Sequence, residues 1–360
     1  MKQILLPLFL FASICLSAQT KYYDAAQFPL LGKVSQETET RYERLPAALN
    51  GNARAPVWAL GKNTSGLAVR FRSNTTSVSA KWELLQNNHM DHMTDVGIKG
   101  LDLYAWESGR WQFVNSARPT GKSNEKPIIS HMAMKEREYL LFLPLYDGVT
   151  KLEIGIDSAA VIAQPALELP QSKKAVVVYG TSITQGGCAN RPGMSFTNIL
   201  MRKLNREFIN LGFSGNGKLD YEIAEVMANK HDAGLFILDF IPNVHASQIK
   251  ERTGRFVNII RSKNKTTPLL FVETIMFPHA VFDKATHEVL TIKNKALYEE
   301  YLKVKNSGDK NVYYLSGKNL IGADGEATVD GIHLTDLGYM RMADALYPVI
   351  KNILEKRAVR

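Results

Sequence analysis

The sequence predicts an α/β chain in two parts, an all-β domain followed by a domain built on a parallel sheet. Three observations predict it. Apolar residues alternate with period two from about Trp58 to Asp157. Short apolar runs then alternate with three-to-four-residue periodicity from Ala175 onward. Between the two regimes, Pro165 to Lys174 carries Pro165, Pro170 and a polar Gln-Ser-Lys-Lys, which reads as a linker. Period two marks strands with one buried face, and strands interleaved with helices imply crossovers between parallel strands. The 360 residues suit two domains at roughly 150 residues each. A hydrophobic content of 45% and a charged content of 22% favour a soluble globular chain over disordered, collagen-like or coiled-coil classes.

At the N-terminus, Lys2 precedes the apolar run Ile4 to Leu16, and Ser17-Ala18 supplies small residues before Gln19. The run contains Pro7 and is too short to span a bilayer, so residues 1–18 read as a secretory signal. The expected mature protein is exported, periplasmic or extracellular, with no integral membrane segment. Lipoprotein cleavage at Cys15 is the competing reading, and the bulky Ile14 before it argues against that. Removing the segment leaves Cys188 as the only cysteine, so no disulfide framework is available and burial must stabilise the fold. It also lowers the formal charge from +9 to +8 through Lys2. Basic residues such as Arg41, Arg44, Arg70, Arg72 and Lys303 are scattered, without a nucleic-acid motif, and read mainly as a solvated face.

Residues 19–168 form the first expected domain. Leu67, Val69 and Phe71, then Val78, Ala80, Trp82 and Leu84, alternate as strands do. Turn signals fall at Asn63 to Gly66, Ser73-Asn74, Ser108-Gly109 and Asp147-Gly148, the last two between runs resembling hairpin partners. A β-sandwich or jelly-roll-like domain follows. Residues 169–360 form the second. Its expected strands are Ala175 to Tyr179, Phe208 to Leu211, Gly234 to Phe240, Leu269 to Glu273 and Val312 to Leu315. Helical stripes comprise Phe196, Ile199, Leu200 and Leu204; Leu219, Ile223 and Val226; and Tyr339, Met342, Ala343 and Leu346. Five strands with intervening helices predict a flavodoxin-like three-layer domain, whose ligands bind at the carboxyl ends of the strands.

Chemistry-bearing residues sit at those ends. Ser182 follows Tyr179-Gly180-Thr181, where its hydroxyl stands at the mouth of the sheet and its N–H near a helix start; such a turn also simply caps helices. It is not a Gly-x-Ser-x-Gly elbow, since Thr184 replaces the second Gly. Gly212, Gly215 and Gly217 lie in the second exit, where glycine N–H groups can approach a ligand or merely make a flexible turn. Asn243 follows Pro242 at the third exit, with an amide that can donate to an oxyanion or bond nearby backbone. Asp330 precedes His333 by three residues before the last helix, a spacing that lets a carboxylate hold Nδ1 and leave Nε2 to accept a proton.

Together these residues resemble the SGNH/GDSL hydrolases. Gly180-Thr181-Ser182-Ile183 resembles the first family block, Gly215 the second, Asn243 the third and Asp330-x-x-His333 the fifth. Tyr179 to Gly193, with Gln185-Gly186-Gly187-Cys188-Ala189 and Arg191-Pro192-Gly193, looks like the bacterial subgroup that carries an N-terminal Gly-x-Asp-Leu-Tyr β domain. That motif stands here as Gly100-Leu101-Asp102-Leu103-Tyr104, with Arg44-Leu45-Pro46 and His92-Met93 upstream. Two departures bear on substrate and rate: Thr181 stands for the usual Asp, and the third block lacks its Gly-x-Asn-Asp form.

The resemblance implies a serine esterase with Ser182 as nucleophile, His333 as base and Asp330 as its orienter. It implies an oxyanion hole of the Ser182 and Gly215 N–H groups and the Asn243 amide. No cofactor or metal is implied. The implied substrates are short acyl esters, often acetyl groups on carbohydrates, and nucleic acid is not an expected partner. The alternative is a carbohydrate-binding protein with a silent hydrolase domain, which predicts a missing Ser, Asp or His; none is missing. A metal-assisted hydrolase using His89, Asp91 and His92 is a further alternative, although no third partner at a strand end is evident; His92-Met93 can instead reach over the catalytic mouth. Trp58, Trp82, Trp106 and Trp111 suit sugar stacking or core packing, and Cys188 reads as an inert packed side chain. Polar or Gly-rich exits at Thr184 to Pro192 and Ser214 to Lys218, with no long apolar lid, predict a preference for short acyl chains.

Overall fold

The structure is a computed structural model that describes residues 19–170 and 173–358. The expected signal, residues 1–18 with Cys15, lies outside the described residues, as do Gln171 and Ser172 of the linker. No helix among the described residues is long and apolar enough to cross a membrane.

The N-terminal half begins with β1 (Thr20–Asp24), β2 (Leu30–Leu31) and helix α1 (Ala55–Gly61). Strands β3 (Ala68–Ser73) and β4 (Val78–Leu84) precede a short helix, α2 (Asp95–Lys99). The rest is β5 (Leu101–Glu107), β6 (Arg110–Ala117), β7 (Ser123–Ile129), β8 (Arg137–Phe142), β9 (Val149–Asp157) and β10 (Ile162–Ala163). One antiparallel sheet runs β1-β9-β4-β7; the other runs β10-β3-β8-β5-β6, with β2 also on β3. Val69, Phe71, Leu101, Leu103, Tyr139 and Leu141 of the second sheet meet Ala80, Trp82, Leu152 and Ile154 of the first in the sandwich core.

Three expectations change here. Trp58 belongs to helix α1, so the alternating region begins at Ala68. Ser108-Gly109 does close a hairpin between β5 and β6, with φ of 51° and 79°, but Asp147-Gly148 carries the chain from β8 in one sheet to β9 in the other. And the central strands β3, β8 and β5 of the second sheet are buried on both faces. Ala68, Tyr104, Leu140 and Phe142, on the opposite parity, pack into a core shared with the C-terminal half. Alternation along β8 is therefore lost, and its run Glu138 to Phe142 is continuously buried.

The C-terminal half has a parallel sheet of β11 (Val176–Gly180), β12 (Phe208–Gly212), β13 (Leu235–Asp239), β14 (Leu269–Val272) and β15 (Val312–Leu315). Its order, β12-β11-β13-β14-β15, is flavodoxin-like, so the chain reverses direction across the sheet at β11. Ser182–Gln185 forms the short helix α3 directly after β11. Helices α4 (Phe196–Leu204) and α8 (Asp336–Ala358) cover one face through Phe196, Ile199, Tyr339 and Leu346. Helices α5 (Tyr221–Ala228), α6 (Ala246–Lys263) and α7 (Lys284–Asn306) cover the other through Ile223, Phe256, Val257 and Leu297. Each fully buried Leu, Ile or Phe contributes roughly 1.5–3 kcal/mol, which stabilises a fold whose described residues hold no disulfide.

The two halves interlock. Between β2 and β3, residues 34–61 strap the edge of the parallel sheet, burying Val34, Leu45 and Val57 against Leu219, Ile223 and Val226. Arg44 is 1% exposed. It donates to the carbonyls of Asn63, Leu60, Asn210 and Gly212, closing the carboxyl end of β12. Arg70, also 1% exposed, pairs with Glu138 at 2.9 Å and lies over the Trp111 ring. The other Glu138 oxygen accepts from the linker N–H groups of Ala166 and Leu167. These two arginines are thus structural, not part of a solvated face. Burial alone lowers both guanidinium pKa values, and only carbonyls or a carboxylate at close range make their charge tolerable there.

Candidate active site

Ser182 opens helix α3 at the end of β11, and its hydroxyl lies 2.9 Å from His333 Nε2. His333 Nδ1 lies 2.6 Å from Asp330 Oδ2. The other Asp330 oxygen accepts from the N–H groups of Ile332 and His333. Burial would raise the Asp330 carboxyl, but these bonds outweigh it and hold it at about 2, so the group is a carboxylate at any physiological pH. The Ser182 side is clamped from both domains. The buried Tyr146 hydroxyl donates to Ser182 O at 3.3 Å, while the Tyr339 hydroxyl of α8 donates to Gly187 O at 2.8 Å.

At the second exit, Gly215 has a φ of 67° and nothing within 4 Å of where a side chain would begin, so its backbone faces open space. Gly217 is tight instead: a Cβ there would sit 2.3 Å from Gly180 O. Asn243 Oδ1 accepts from Gly217 N at 3.1 Å, which ties the third exit to the second and turns Nδ2 away from that bond. Arg54 of the strap grips the same loop through Asn216 O, Asn216 Oδ1 and both Asp220 oxygens. Ser214 N donates to Gln185 Oε1 of α3.

Asp102 and Tyr104, which share side-chain parity in β5, face the second domain. Asp102 Oδ2 accepts from Arg191 Nη1 at 2.7 Å and Gly193 N at 2.8 Å, and Arg191 Nη1 also lies 2.6 Å from the Tyr104 hydroxyl. The Arg191 guanidinium stacks over Phe113, 3.8 Å from its ring centroid. Thus the Gly-x-Asp-Leu-Tyr strand fixes the loop that follows Ser182 and α3. Among the tryptophans, Trp82 is core, Trp58 packs against the second domain, and Trp106 and Trp111 make a half-buried edge-on pair.

His89, Asp91 and His92 do not converge on one point: His89 pairs with Asp95, and His92 Nδ1 with Asp91 at 3.0 Å. The structure instead brings His92, Cys188 and His333 together, their ligand atoms all within 4.8 Å of one another. The His92 ring stands 5.6 Å from the His333 ring. Cys188, with φ of 69°, therefore has two imidazole neighbours that its sequence context hides. Burial, with Asp330 and Asp91 nearby, pushes its thiol up to about 12, which disfavours a free thiolate nucleophile.

Two features escape the sequence reading. Asp239, at the end of β13, accepts from Thr184 Oγ1 at 2.8 Å. Burial pushes its carboxyl up to about 7 against that bond. The second is the exit of β14. Not every exit is polar or Gly-rich: Ile275 to Phe282 is an apolar segment in which Val281 is 78% and Phe282 90% exposed. Its His279 ring abuts Gly331, between Asp330 and His333. The run Ile-Met-Phe-Pro was visible in the sequence directly after an expected strand.

Residues 173–351 match the GDSL-like Lipase/Acylhydrolase family, and residues 20–162 match the N-terminus of Esterase_SGNH_hydro-type. A crystal structure of a GDSL-like lipase from Bacteroides ovatus is 38% identical and superposes with a TM-score of 0.89 over 94% of this chain and 98% of that one. A salicylyl-acyltransferase from a tetracycline biosynthetic pathway is 16% identical, with a TM-score of 0.74 over 93% and 97%. An acetyl xylan esterase from the rumen bacterium Butyrivibrio proteoclasticus is 12% identical, with a TM-score of 0.59 over 93% and 99%. These last two share the fold. No curated protein matches the sequence.

Proposed function

As the chain belongs to the GDSL-like lipase/acylhydrolase family, we propose that it is an exported serine esterase cleaving short-chain acyl esters, acetyl esters of carbohydrates foremost, through an acyl-enzyme on Ser182. The observation that carries this reading is the continuous contact from Ser182 Oγ to His333 Nε2 at 2.9 Å and from His333 Nδ1 to Asp330 Oδ2 at 2.6 Å. His333 takes the hydroxyl proton as Oγ attacks the ester carbonyl, and Asp330 balances the imidazolium that forms. The N–H groups of Ser182 and Gly215 and the Asn243 amide donate to the oxyanion. As the intermediate collapses, His333 returns the proton to the departing alcohol. Water then repeats the sequence on the acyl-enzyme and releases the acid.

The carbohydrate part is supported by the shared fold of the acetyl xylan esterase and by the expected export. Ser182→Ala should keep the fold, judged by its melting temperature, and lose on the order of 10³-fold or more in hydrolysis of a short aryl ester. Retention of most of the wild-type rate would sink the nucleophile. Acetate release from a panel of acetylated glycans, against aryl acetate and aryl octanoate, reads the substrate. Faster turnover of the octanoate would remove the short-chain preference and turn attention to the apolar Ile275 to Phe282.

A further inference from the structure

Both imidazoles of the His92, Cys188 and His333 cluster carry a carboxylate on Nδ1. His92 Nδ1 lies 3.0 Å from Asp91 Oδ1, and His333 Nδ1 lies 2.6 Å from Asp330 Oδ2. A carboxylate at Nδ1 fixes the proton there and presents the Nε2 lone pair, the arrangement by which proteins orient metal-binding histidines. Here it occurs twice, on side chains from different domains, with a thiol beside them and one ligand atom of each of the three residues within 4.8 Å of the others. The reaction assigned above uses one of these pairs. The Asp91–His92 pair and Cys188 have no part in it.

The loop bearing His92 is anchored at both ends. Asp147 accepts from the N–H groups of Gln86, Asn87 and Asn88 before it. After it, the Thr94 hydroxyl donates at 2.5 Å to the carbonyl of Asn190, two residues beyond Cys188. His92 is thus held against the Cys188 loop, and the His92 side chain, 34% exposed, leaves an approach from solvent.

We propose that His92 Nε2, Cys188 Sγ and His333 Nε2 form a binding site for a soft divalent cation such as zinc, and that its occupancy switches the esterase off. Two nitrogens and one sulfur suit zinc or cobalt and disfavour magnesium and calcium, which take oxygen ligands. Coordination displaces the thiol proton to solvent and leaves the fourth tetrahedral position for water or Ser182 Oγ. The cation then occupies the lone pair that must accept the Ser182 proton, so the nucleophile cannot be activated. The inhibitory half rests on the esterase reading; the binding half does not.

The test has a spectroscopic and a kinetic arm, both on the reduced full-length mature protein. Cobalt(II) alone should produce a thiolate-to-cobalt charge-transfer absorption that zinc bleaches, whether or not an ester substrate is ever found. Zinc should inhibit aryl acetate hydrolysis reversibly, with recovery on chelation and no effect of magnesium or calcium. Cys188→Ser should abolish the absorption and raise the inhibitory zinc concentration at least about tenfold, with its rate in chelator unchanged. His92→Asn, compared with its own metal-free rate, should do the same and serves if the cysteine variant fails to fold. Absence of the charge-transfer band at saturating cobalt overturns the site. A band without inhibition, or zinc inhibition undiminished in both variants, overturns the switch.

Discussion

Asn243 is fixed by one end of its carboxamide, with Oδ1 accepting from Gly217 N–H, so truncation would remove both the tie between two strand exits and the proposed oxyanion donor. Asn243→Ala should cost roughly 10²–10³ in kcat on an aryl acetate, the range for one such donor. An effect confined to KM would make the residue a binding group instead. Asp239 makes a different prediction. Its folded-state carboxyl, at about 7, stands above the ordinary 3.8, so between those values the folded chain holds a proton that the unfolded chain has released. Stability contributed by that protonated form is present in acid and is lost as pH rises toward about 7, levelling above it. Asp239→Asn keeps an acceptor for Thr184 and removes the titration. Its melting temperature should therefore fall less than the wild type's between about pH 5 and about pH 8. Parallel pH curves for the two proteins would show that Asp239 is not the group concerned. Neither role was legible from one residue: Asn243 was visible because Pro242 and a strand end flank it, whereas Asp239 looked like any acidic residue at a strand end.

Among the elements, β5 ties the domains most directly. Asp102 is 0% exposed and has Arg191, Ser116 and Gly193 as partners. Arg191→Met would leave that carboxylate buried without its cation and should cost about 3–5 kcal/mol in denaturant unfolding, the usual result of breaking a buried pair on one side. Asp102→Asn with Arg191→Met should recover part of it; a double variant as unstable as the two losses added would argue that the pair is uncoupled. The parity of Asp102 and Tyr104 was readable because strand side chains alternate, while the identity of their partner was not. Parity tells which face a residue takes, and only the packing of the second domain tells what covers that face. The same limit explains β8, whose buried run reflects that cover, and Asp147-Gly148, where a turn sequence identical in kind to Ser108-Gly109 leads to the other sheet.

At the scale of the whole molecule, the strap of residues 34–61, the Arg44 cap on β12 and the apolar core shared by Tyr104, Phe142, Phe196 and Ile199 make the second domain dependent on the first. A fragment from about Lys173 onward should be poorly soluble or weakly active, because it exposes this surface and loses the Tyr146 contact to Ser182 and the Arg54 contacts to the Asn216 loop. Equal activity of fragment and full chain on an aryl acetate and an acetylated oligosaccharide would reduce the first domain to an attachment. The sequence by itself determined the two periodicities, the five parallel strands nearly to the residue, and the positions of Ser182, Gly215 and Asn243 at strand ends and of Asp330 and His333 just before the last helix. Those features are local, set by side-chain period and by glycine, proline and capping chemistry over a few residues. Tertiary structure alone decided which arginines are buried, that the central strands of one sheet are covered on both faces, and that His92 and Cys188 meet beside His333. Such contacts join residues far apart in the chain, and their energies come from desolvation and packing that no short window of sequence contains.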